Sequence, residues 1–170
     1  MQLETTLPLV TFSRYFFITS TMSNSKVKLM TLNCICNEGI IHFPDNAKCQ
    51  TINVISLASG QAINITRDRP ADGENFEGYL QGQLRILVEK CNNYKQLSLQ
   101  HCDSTAVFSK ISKLTFSFKP AEGITYWQYI ILAEREPGNI MLFTSVFNDR
   151  STLDQGCREV DKLFKAFRPH

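Results

Sequence analysis

Cysteine and histidine are the residues of this sequence that could hold a metal ion or act in covalent catalysis. Zinc sites need closely spaced ligand pairs, such as C-x2-C followed by a second pair. Cys34 and Cys36 form a C-x-C spacing with no second pair, and His101-Cys102 stands alone. The irregular spacing in a chain of this size favours reduced thiols, and hence the cytoplasm, and we expect no metal site. The six cysteines are Cys34, Cys36, Cys49, Cys91, Cys102 and Cys157.

The sequence contains no catalytic motif. Its three histidines are His42, His101 and His170, and the signatures of serine hydrolases, zinc proteases, P-loop enzymes and dinucleotide-binding folds are absent. We therefore expect a protein that is not an enzyme, with no catalytic residue and no cofactor. An enzyme or small-ligand protein remains a third possibility, which would need a closed polar pocket around His101 or the loop at Asp68.

Composition and charge indicate one folded domain that does not bind nucleic acid. The chain has 170 residues, of which 43% are hydrophobic and 20% charged, with a net charge of +2. Residues 1–29 hold that surplus, because they contain Arg14, Lys26 and Lys28 against Glu4 alone. The remainder is balanced, whereas phosphate binding needs clustered basic residues.

The apolar stretch over residues 7–18 is the one candidate membrane segment. It is interrupted by Arg14 and, at about 12 residues, is shorter than the roughly 20 that span a bilayer. Met22 and Met30 both precede the first patterned strand. We expect residues 1–29 to be an extension, with a true start at Met1, Met22 or Met30, residues 30–170 to form a single domain, and no stable membrane insertion.

The elements that position the remaining candidates follow an α+β pattern. The apolar period predicts a helix over residues 76–91 and a second one over the last part of the chain, where Ser151 and Asp154 have capping spacing. Gly78 and Gly82 lie four residues apart in the first helix, which predicts close packing on the sheet or, alternatively, a partner contact. Strands are predicted over residues 34–43 with a turn at 37–39, and over 50–57, 61–67, 97–102, 111–119, 124–132 and 140–147.

The predicted strands have more apolar surface than two helices on one side could cover. In residues 111–119 apolar and polar side chains alternate, which predicts that Lys113, Thr115 and Ser117 lie on a solvent-exposed face. The strands at 124–132 and 140–147 instead have apolar side chains on both faces. A partner surface, a self-buried dimer interface and a second layer all remain open explanations. The face concerned carries Ile52, Val54, Ala62, Asn64, Thr66 and Gln128.

Several short motifs resemble, in order, the DcrB-related family, and within it the Eag-type chaperones of type VI secretion systems. The resemblance covers about residues 31–169 and includes Tyr126-Trp127-Gln128 and the last helix. The chain departs from the family at Cys49 and in its N-terminal extension. The motifs are Ile41-His42-Phe43-Pro44-Asp45-Asn46, Gln50-Thr51-Ile52-Asn53-Val54, Ile65-Thr66-Arg67-Asp68 and Phe76-Glu77-Gly78-Tyr79-Leu80-Gln81-Gly82-Gln83-Leu84.

The resemblance implies a Mog1/PsbP-like α+β fold with an antiparallel sheet, two main helices, a concave apolar surface and a homodimer. It implies a cytoplasmic adaptor chaperone that shields the N-terminal transmembrane helices of a PAAR-containing effector and promotes loading on the spike. An envelope accessory protein of PsbP or DcrB type, binding another assembly, is the alternative. The implied effector-binding positions are Ile52, Val54, Ala62, Asn64, Thr66, Gln83, Leu87, Cys91 and Gln128.

Overall fold

A computed structural model describes the backbone of residues 32–36 and 39–43 and the whole of residues 52–120 and 123–169. Within these ranges, the strands and helices follow the predicted order. The prediction that residues 1–29 form an extension lies outside them. The elements are β1 (Leu32–Cys36), β2 (Gly39–Phe43), β3 (Asn53–Ser56), β4 (Ala62–Asp68), α1 (Phe76–Lys90), β5 (Lys95–Cys102), β6 (Lys110–Phe118), β7 (Tyr126–Glu136), β8 (Asn139–Phe147) and α2 (Arg150–Ala166).

The strands form a two-stranded hairpin and a six-stranded antiparallel sheet. β1 pairs with β2, and the larger sheet has the order β3-β4-β8-β7-β6-β5. β4 pairs with β8 rather than with the next strand in sequence, which places the two most apolar strands, β7 and β8, at the centre. The expected α+β class with an antiparallel sheet and two helices is confirmed.

The two helices lie on opposite faces of the sheet. Ile131 and Phe143 pack in one core cluster with α2, whereas their neighbours Ile130 and Leu142 pack in a second cluster with α1. Successive side chains of a strand point to opposite faces, so the two-sided apolar character of β7 and β8 is satisfied by a helix on each side. Each face of the sheet is therefore covered, at least in part, by one helix.

The second face of β6, which was predicted to be wet, is covered by α2. Lys113 donates to the Asp161 carboxylate of α2 at 2.8 Å, and Ser117 is 8% exposed. Tyr129 of β7 donates to the same carboxylate oxygen at 2.8 Å. The prediction of a solvent face was wrong because Lys113 pairs with Asp161 of α2 and Ser117 is buried.

The N-terminus of α2 is capped two residues earlier than the spacing of Ser151 and Asp154 suggested. The Asp149 side chain accepts a hydrogen bond from the Ser151 backbone N–H at 2.8 Å. This contact lowers the pKa of the Asp149 carboxyl, because the hydrogen bond favours its charged form. Asp154 forms an i,i+4 ion pair with Arg150 at 3.4 Å rather than a capping interaction.

α1 crosses its face of the sheet obliquely, from β4 towards β6. Near its start, the Tyr79 hydroxyl donates to Asp68 Oδ2 of β4 at 2.8 Å. Past its end, the Lys119 backbone N–H donates to the Asn92 carbonyl at 2.9 Å, and Tyr94 packs on Phe116 of β6. These contacts join α1 to β4 and to β6, and β3 lies beyond β4 at the edge of the sheet.

Gly78 and Gly82 do not serve close packing of α1 on the sheet. A Cβ on Gly78 would meet the Glu74 side chain at 3.3 Å, and one on Gly82 would meet only Glu74 Oε1, at 3.9 Å. The two glycines thus lie on the flank of the helix where the Glu74 side chain runs. The expectation of backbone packing on the sheet was wrong at these positions.

Candidate docking surface

The sheet positions implied for effector binding share the face on which α1 packs, here called the α1 face. Val54 pairs with Asn64, Asn64 with Thr144, and Thr144 with Ile130 of the α1-side core cluster. Directly paired residues of an antiparallel sheet point to the same side, as do residues two apart along a strand. Ile52, Ala62, Thr66 and Gln128 therefore belong to this face as well.

Exposure divides these six residues into two groups. Ile52 and Val54 at the β3 edge are 44% and 60% exposed, and they are two of the few large hydrophobic side chains that reach solvent. Asn64, Thr66 and Gln128 are buried, and Ala62 is half-buried. The accessible part of the implied site is thus the apolar margin along β3, and a row of polar side chains lies next to it.

The three implied positions of α1 face the sheet and contribute to the core. Gln83, Leu87 and Cys91 are four residues apart, so one side of the helix presents all three. Leu87 and Cys91 belong to the α1-side core cluster, and Leu87 is 3% exposed. Burial raises the pKa of the Cys91 thiol, because it disfavours the charged thiolate. These residues hold α1 on the sheet, beside the accessible margin.

Gln83 differs from its neighbours on α1 because it is polar. Its side chain is 2% exposed, and its Oε1 atom has no hydrogen-bond partner among the described residues. A buried polar atom without a partner costs free energy, and such atoms are rare in folded proteins. Gln83 is therefore the buried residue of the implied set that is most suited to meeting a bound group.

A cavity of about 290 Å³ opens on the flank of α1. Apart from Gln83, this flank lies outside the positions implied by the family resemblance, although the spacing of Gly78 and Gly82 was a signal for it. The cavity lies beside the loop that follows Asp68, and Gln83 is the implied residue that it shares with the docking surface. It is lined by Ala71, Glu74, Tyr79, Gly82, Gln83, Arg85 and Ile86.

Histidine, cysteine and carboxylate side chains are scattered over the described part of the chain. Across 52–120 and 123–169, no three His, Cys, Asp or Glu side chains are grouped as a metal site requires. His101 Nδ1 lies 3.0 Å from Ser112 Oγ, but Ser112 is fully buried. Neither described helix has the length and apolarity that crossing a bilayer requires.

Comparison with known proteins identifies a protein with a similar fold and the family to which the sequence belongs. No curated protein matches the chain. The crystal structure of PA94 from Pseudomonas aeruginosa, a protein of unknown function, is similar with a TM-score of 0.64 and 18% identity over 82% of this chain and 97% of that one. At this identity the likeness shows the fold alone. The family model of DcrB matches residues 38–159, which is most of the sequence, and the chain therefore belongs to the DcrB family.

Proposed function

We propose that this protein is an adaptor chaperone of a type VI secretion system. It binds the N-terminal transmembrane helices of a PAAR-containing effector in the cytoplasm, shields them from water and promotes loading of the effector on the spike. It acts as a homodimer and needs no cofactor. Membership of the DcrB family and the resemblance to Eag-type chaperones within that family support this proposal.

The observation that carries the proposal is the composition of the α1 face at its β3 edge. Ile52 and Val54 expose aliphatic side chains, and Asn64 and Thr66 lie next to them on the same face. A transmembrane helix out of the membrane needs apolar contacts in place of lipid, and its own backbone groups are already paired. An apolar margin with a few amides and hydroxyls can cover such a helix and also bond any polar side chain on it.

The buried members of the implied site have a supporting role in this function. Leu87 and Cys91 fix α1 on the sheet, and Gln128 lies opposite Val146 and Phe116 in the sheet. The surface that first meets cargo is therefore β3, and the position of α1 sets the width of the surface beside it. Variants of the β3 edge test binding without disturbing the core.

Binding of a defined apolar helix tests the proposal. The probe is a synthetic peptide of about 20 leucine and alanine residues with lysines at both ends, long enough to span a bilayer. We expect the wild-type protein to bind it, and Val54→Asp to bind at least tenfold more weakly, because an aspartate at this position would lose its water in the complex. Isothermal titration or fluorescence anisotropy measures the difference.

Asn53→Asp is the matched control for Val54→Asp. It adds the same charge one residue away, on the opposite side of the strand, where Asn53 already accepts a hydrogen bond from Arg67 at 3.0 Å. We expect Asn53→Asp to bind the peptide as the wild type does. Failure of the wild type to bind the helix, or equal loss in both variants, would contradict the proposed surface.

A further inference from the structure

The outer side of β3 is a free edge of the six-stranded sheet. β3 pairs with β4 on one side, and no described strand pairs with it on the other. The backbone N–H and C=O groups along such an edge are a template on which another strand can pair, and native proteins usually protect them with charges, prolines or bulges. The free edge of β3 is therefore a candidate interaction surface.

Hydrogen bonds near the turn between β3 and β4 show which backbone groups of β3 point outwards. The Leu57 backbone N–H donates to the Gln61 carbonyl at 2.8 Å, so the backbone of Leu57 faces the β4 side. Because this direction alternates along a strand, the N–H and C=O groups of Val54 and Ser56 point away from β4. The carbonyl of Ala62, which pairs with Ser56, accepts a hydrogen bond from a serine hydroxyl of β8 at 2.8 Å, and this direction agrees with the assignment.

The residues along this edge carry no charge and no proline. The sequence over residues 52–57 is Ile-Asn-Val-Ile-Ser-Leu. Ile55 and Leu57 pack against the core cluster on the α2 side, whereas Ile52 and Val54 project from the α1 face and are exposed. β3 is thus anchored in its own protomer through one face and presents aliphatic side chains to solvent on the other.

The other free edge of the sheet, β5, has protection that β3 lacks. β5 begins with Lys95, and its register with β6 shifts between Gln96 and Ser98. A bulge of this kind twists an edge away from further pairing, and a lysine on an edge disfavours pairing as well. Of the two edges, β3 is therefore the one that is suited to accept a strand.

We propose that β3 pairs with β3 of a second copy of this chain, antiparallel and about a two-fold axis perpendicular to the sheet. This inference rests on the proposed function, which includes a homodimer, and it names the surface where the two copies meet. A two-fold contact brings the same patch of both copies together, and an uncharged patch meets itself without repulsion. The outward N–H and C=O groups of Val54 and Ser56 then pair across the axis.

Pairing of this kind joins the two α1 faces into one surface. Directly paired residues of an antiparallel sheet point to the same side, so the Ile52 and Val54 side chains of both copies form a single apolar strip along the axis. A second copy fits this edge better than an unrelated strand, because it supplies the same aliphatic residues on the same face. A bound apolar helix would contact both protomers at once.

The state of association of Val54 variants tests the pairing. With the axis at residue 54 or 55, the two Val54 side chains are direct or diagonal neighbours. We expect a dimeric wild type and a Val54→Asp variant that dimerises at least tenfold more weakly, because like charges across an interface repel. Val88→Asp is the matched control, since this valine of α1 is exposed to the same extent, 61% against 60%, and lies away from the edge. Sedimentation equilibrium measures the three dissociation constants.

A mixture of two charged variants separates repulsion at the edge from damage to the fold. Val54→Lys alone should dimerise weakly, as Val54→Asp does. An equimolar mixture of the two should dimerise more strongly than either variant alone, because opposite charges then meet across the axis. A mixture that associates no better than its components would contradict the proposed pairing.

Amide hydrogen exchange followed by NMR tests the backbone part of the proposal. We expect the outward N–H of Ser56 to exchange at least tenfold more slowly in the wild-type dimer than in Val54→Asp, whereas the N–H of Ile55, which faces β4, stays protected in both. A wild-type dimer whose Ser56 N–H exchanges freely would overturn the proposal, because the copies would then meet elsewhere. Protection of this N–H in a monomer would overturn it too, because a segment of the same chain would then cover the edge.

The outcomes for this interface and for the proposed helix binding are distinct. A monomeric wild type that binds the leucine and alanine peptide would overturn the interface and leave helix binding standing. A wild type that pairs through β3 but does not bind the peptide would overturn helix binding and leave the interface standing.

Discussion

Gly156 of α2 and Phe147 of β8 lie so close together that no side chain fits between them. A Cβ on Gly156 would stand 1.9 Å from Cε1 of the Phe147 ring, and both residues are buried. α2 therefore contacts the sheet through its backbone at this point. The close approach brings Leu153 and Val160, on either side of Gly156, into the same core cluster as Phe147.

Replacing Gly156 with alanine is expected to destabilise the fold even though alanine favours helix formation. The gain in helix propensity is about 1 kcal/mol, whereas overpacking a core that must move apart typically costs about 1–3 kcal/mol or more. A net fall in the free energy of unfolding, measured in urea, is the expected result. Gly82→Ala is the control, and it should be neutral or raise stability by up to about 1 kcal/mol. A Gly156→Ala protein as stable as the wild type would contradict the packing.

A charge at Leu87 is expected to unfold the protein or nearly so. Leu87 is 3% exposed in the α1-side core, and losing such a side chain costs about 2–5 kcal/mol before the burial of an unpaired charge is added. Leu87→Asp should therefore lose most of a typical domain stability of about 5–15 kcal/mol.

Val88→Asp provides the adjacent control for Leu87→Asp. Val88 is 61% exposed, and substitutions at such surface positions usually change stability by about 0.5 kcal/mol or less. Thermal unfolding followed by circular dichroism compares the two variants. Similar melting temperatures for both would show that α1 does not pack on the sheet through Leu87.

Two buried tyrosines are expected to make the fold sensitive to alkaline pH. Burial, together with the carboxylates of Asp68 and Asp161, raises the pKa of Tyr79 and of Tyr129 well above the ordinary value of 10.0. In the unfolded chain both hydroxyls release their protons near pH 10, and in the folded chain they do not. The stability from this difference is complete below about pH 10 and is lost as pH rises further, by about 1.4 kcal/mol per pH unit for each tyrosine.

Urea unfolding at pH 9, 10 and 11 measures this loss. The double variant Tyr79→Phe/Tyr129→Phe should be less stable at pH 9, because Asp68 and Asp161 each lose one hydrogen-bond donor, but its stability should fall less steeply between pH 10 and 11. All other side chains are the same in both proteins, so the difference in slope reports on the two tyrosines and on the groups coupled to them, such as Cys157 beside Tyr129. Equal slopes for the wild type and the double variant would contradict the prediction.

Local patterns in the sequence predicted the elements and the face of the sheet, because the periods of 2 and 3.6 residues reflect which side chains point the same way. Asn64 and Thr66 could thus be assigned to one face with Ala62. The cover over that face depends on where α1 crosses the sheet, which the contacts of Tyr79 and Tyr94 determine. Those contacts join residues far apart in the chain, and no local pattern encodes them.

The same distinction explains the corrections. The N-cap of α2 is Asp149, two residues before Ser151, which its spacing to Asp154 had suggested. Aspartate and serine are both favoured at N-caps, so the local sequence does not decide between them. Lys113 looked solvated because its partner, Asp161, lies 48 positions further along the chain. Gly156 was not among the residues predicted to matter, because its role depends on the ring of Phe147 and no local pattern shows that contact. In each of these examples, the outcome depends on a contact that a local sequence pattern does not show.

The thiol of Cys157 is expected to be slow to react while the protein is folded. Burial, followed by the negative charges of Asp161 and Asp154, raises the pKa of Cys157 from 9.0 to about 11. Because the thiolate is the reactive form, a pKa higher by about two units lowers its fraction at pH 8 about a hundredfold. Alkylation with iodoacetamide, followed by peptide mass spectrometry, should therefore label Cys157 about a hundredfold faster in the urea-unfolded chain than in the folded one. Asp161→Asn should accelerate native labelling, because it removes the negative charge that raises the pKa of Cys157 more than Asp154 does. Equal rates in the folded and unfolded chains would show that packing of α2 against the sheet does not bury this thiol.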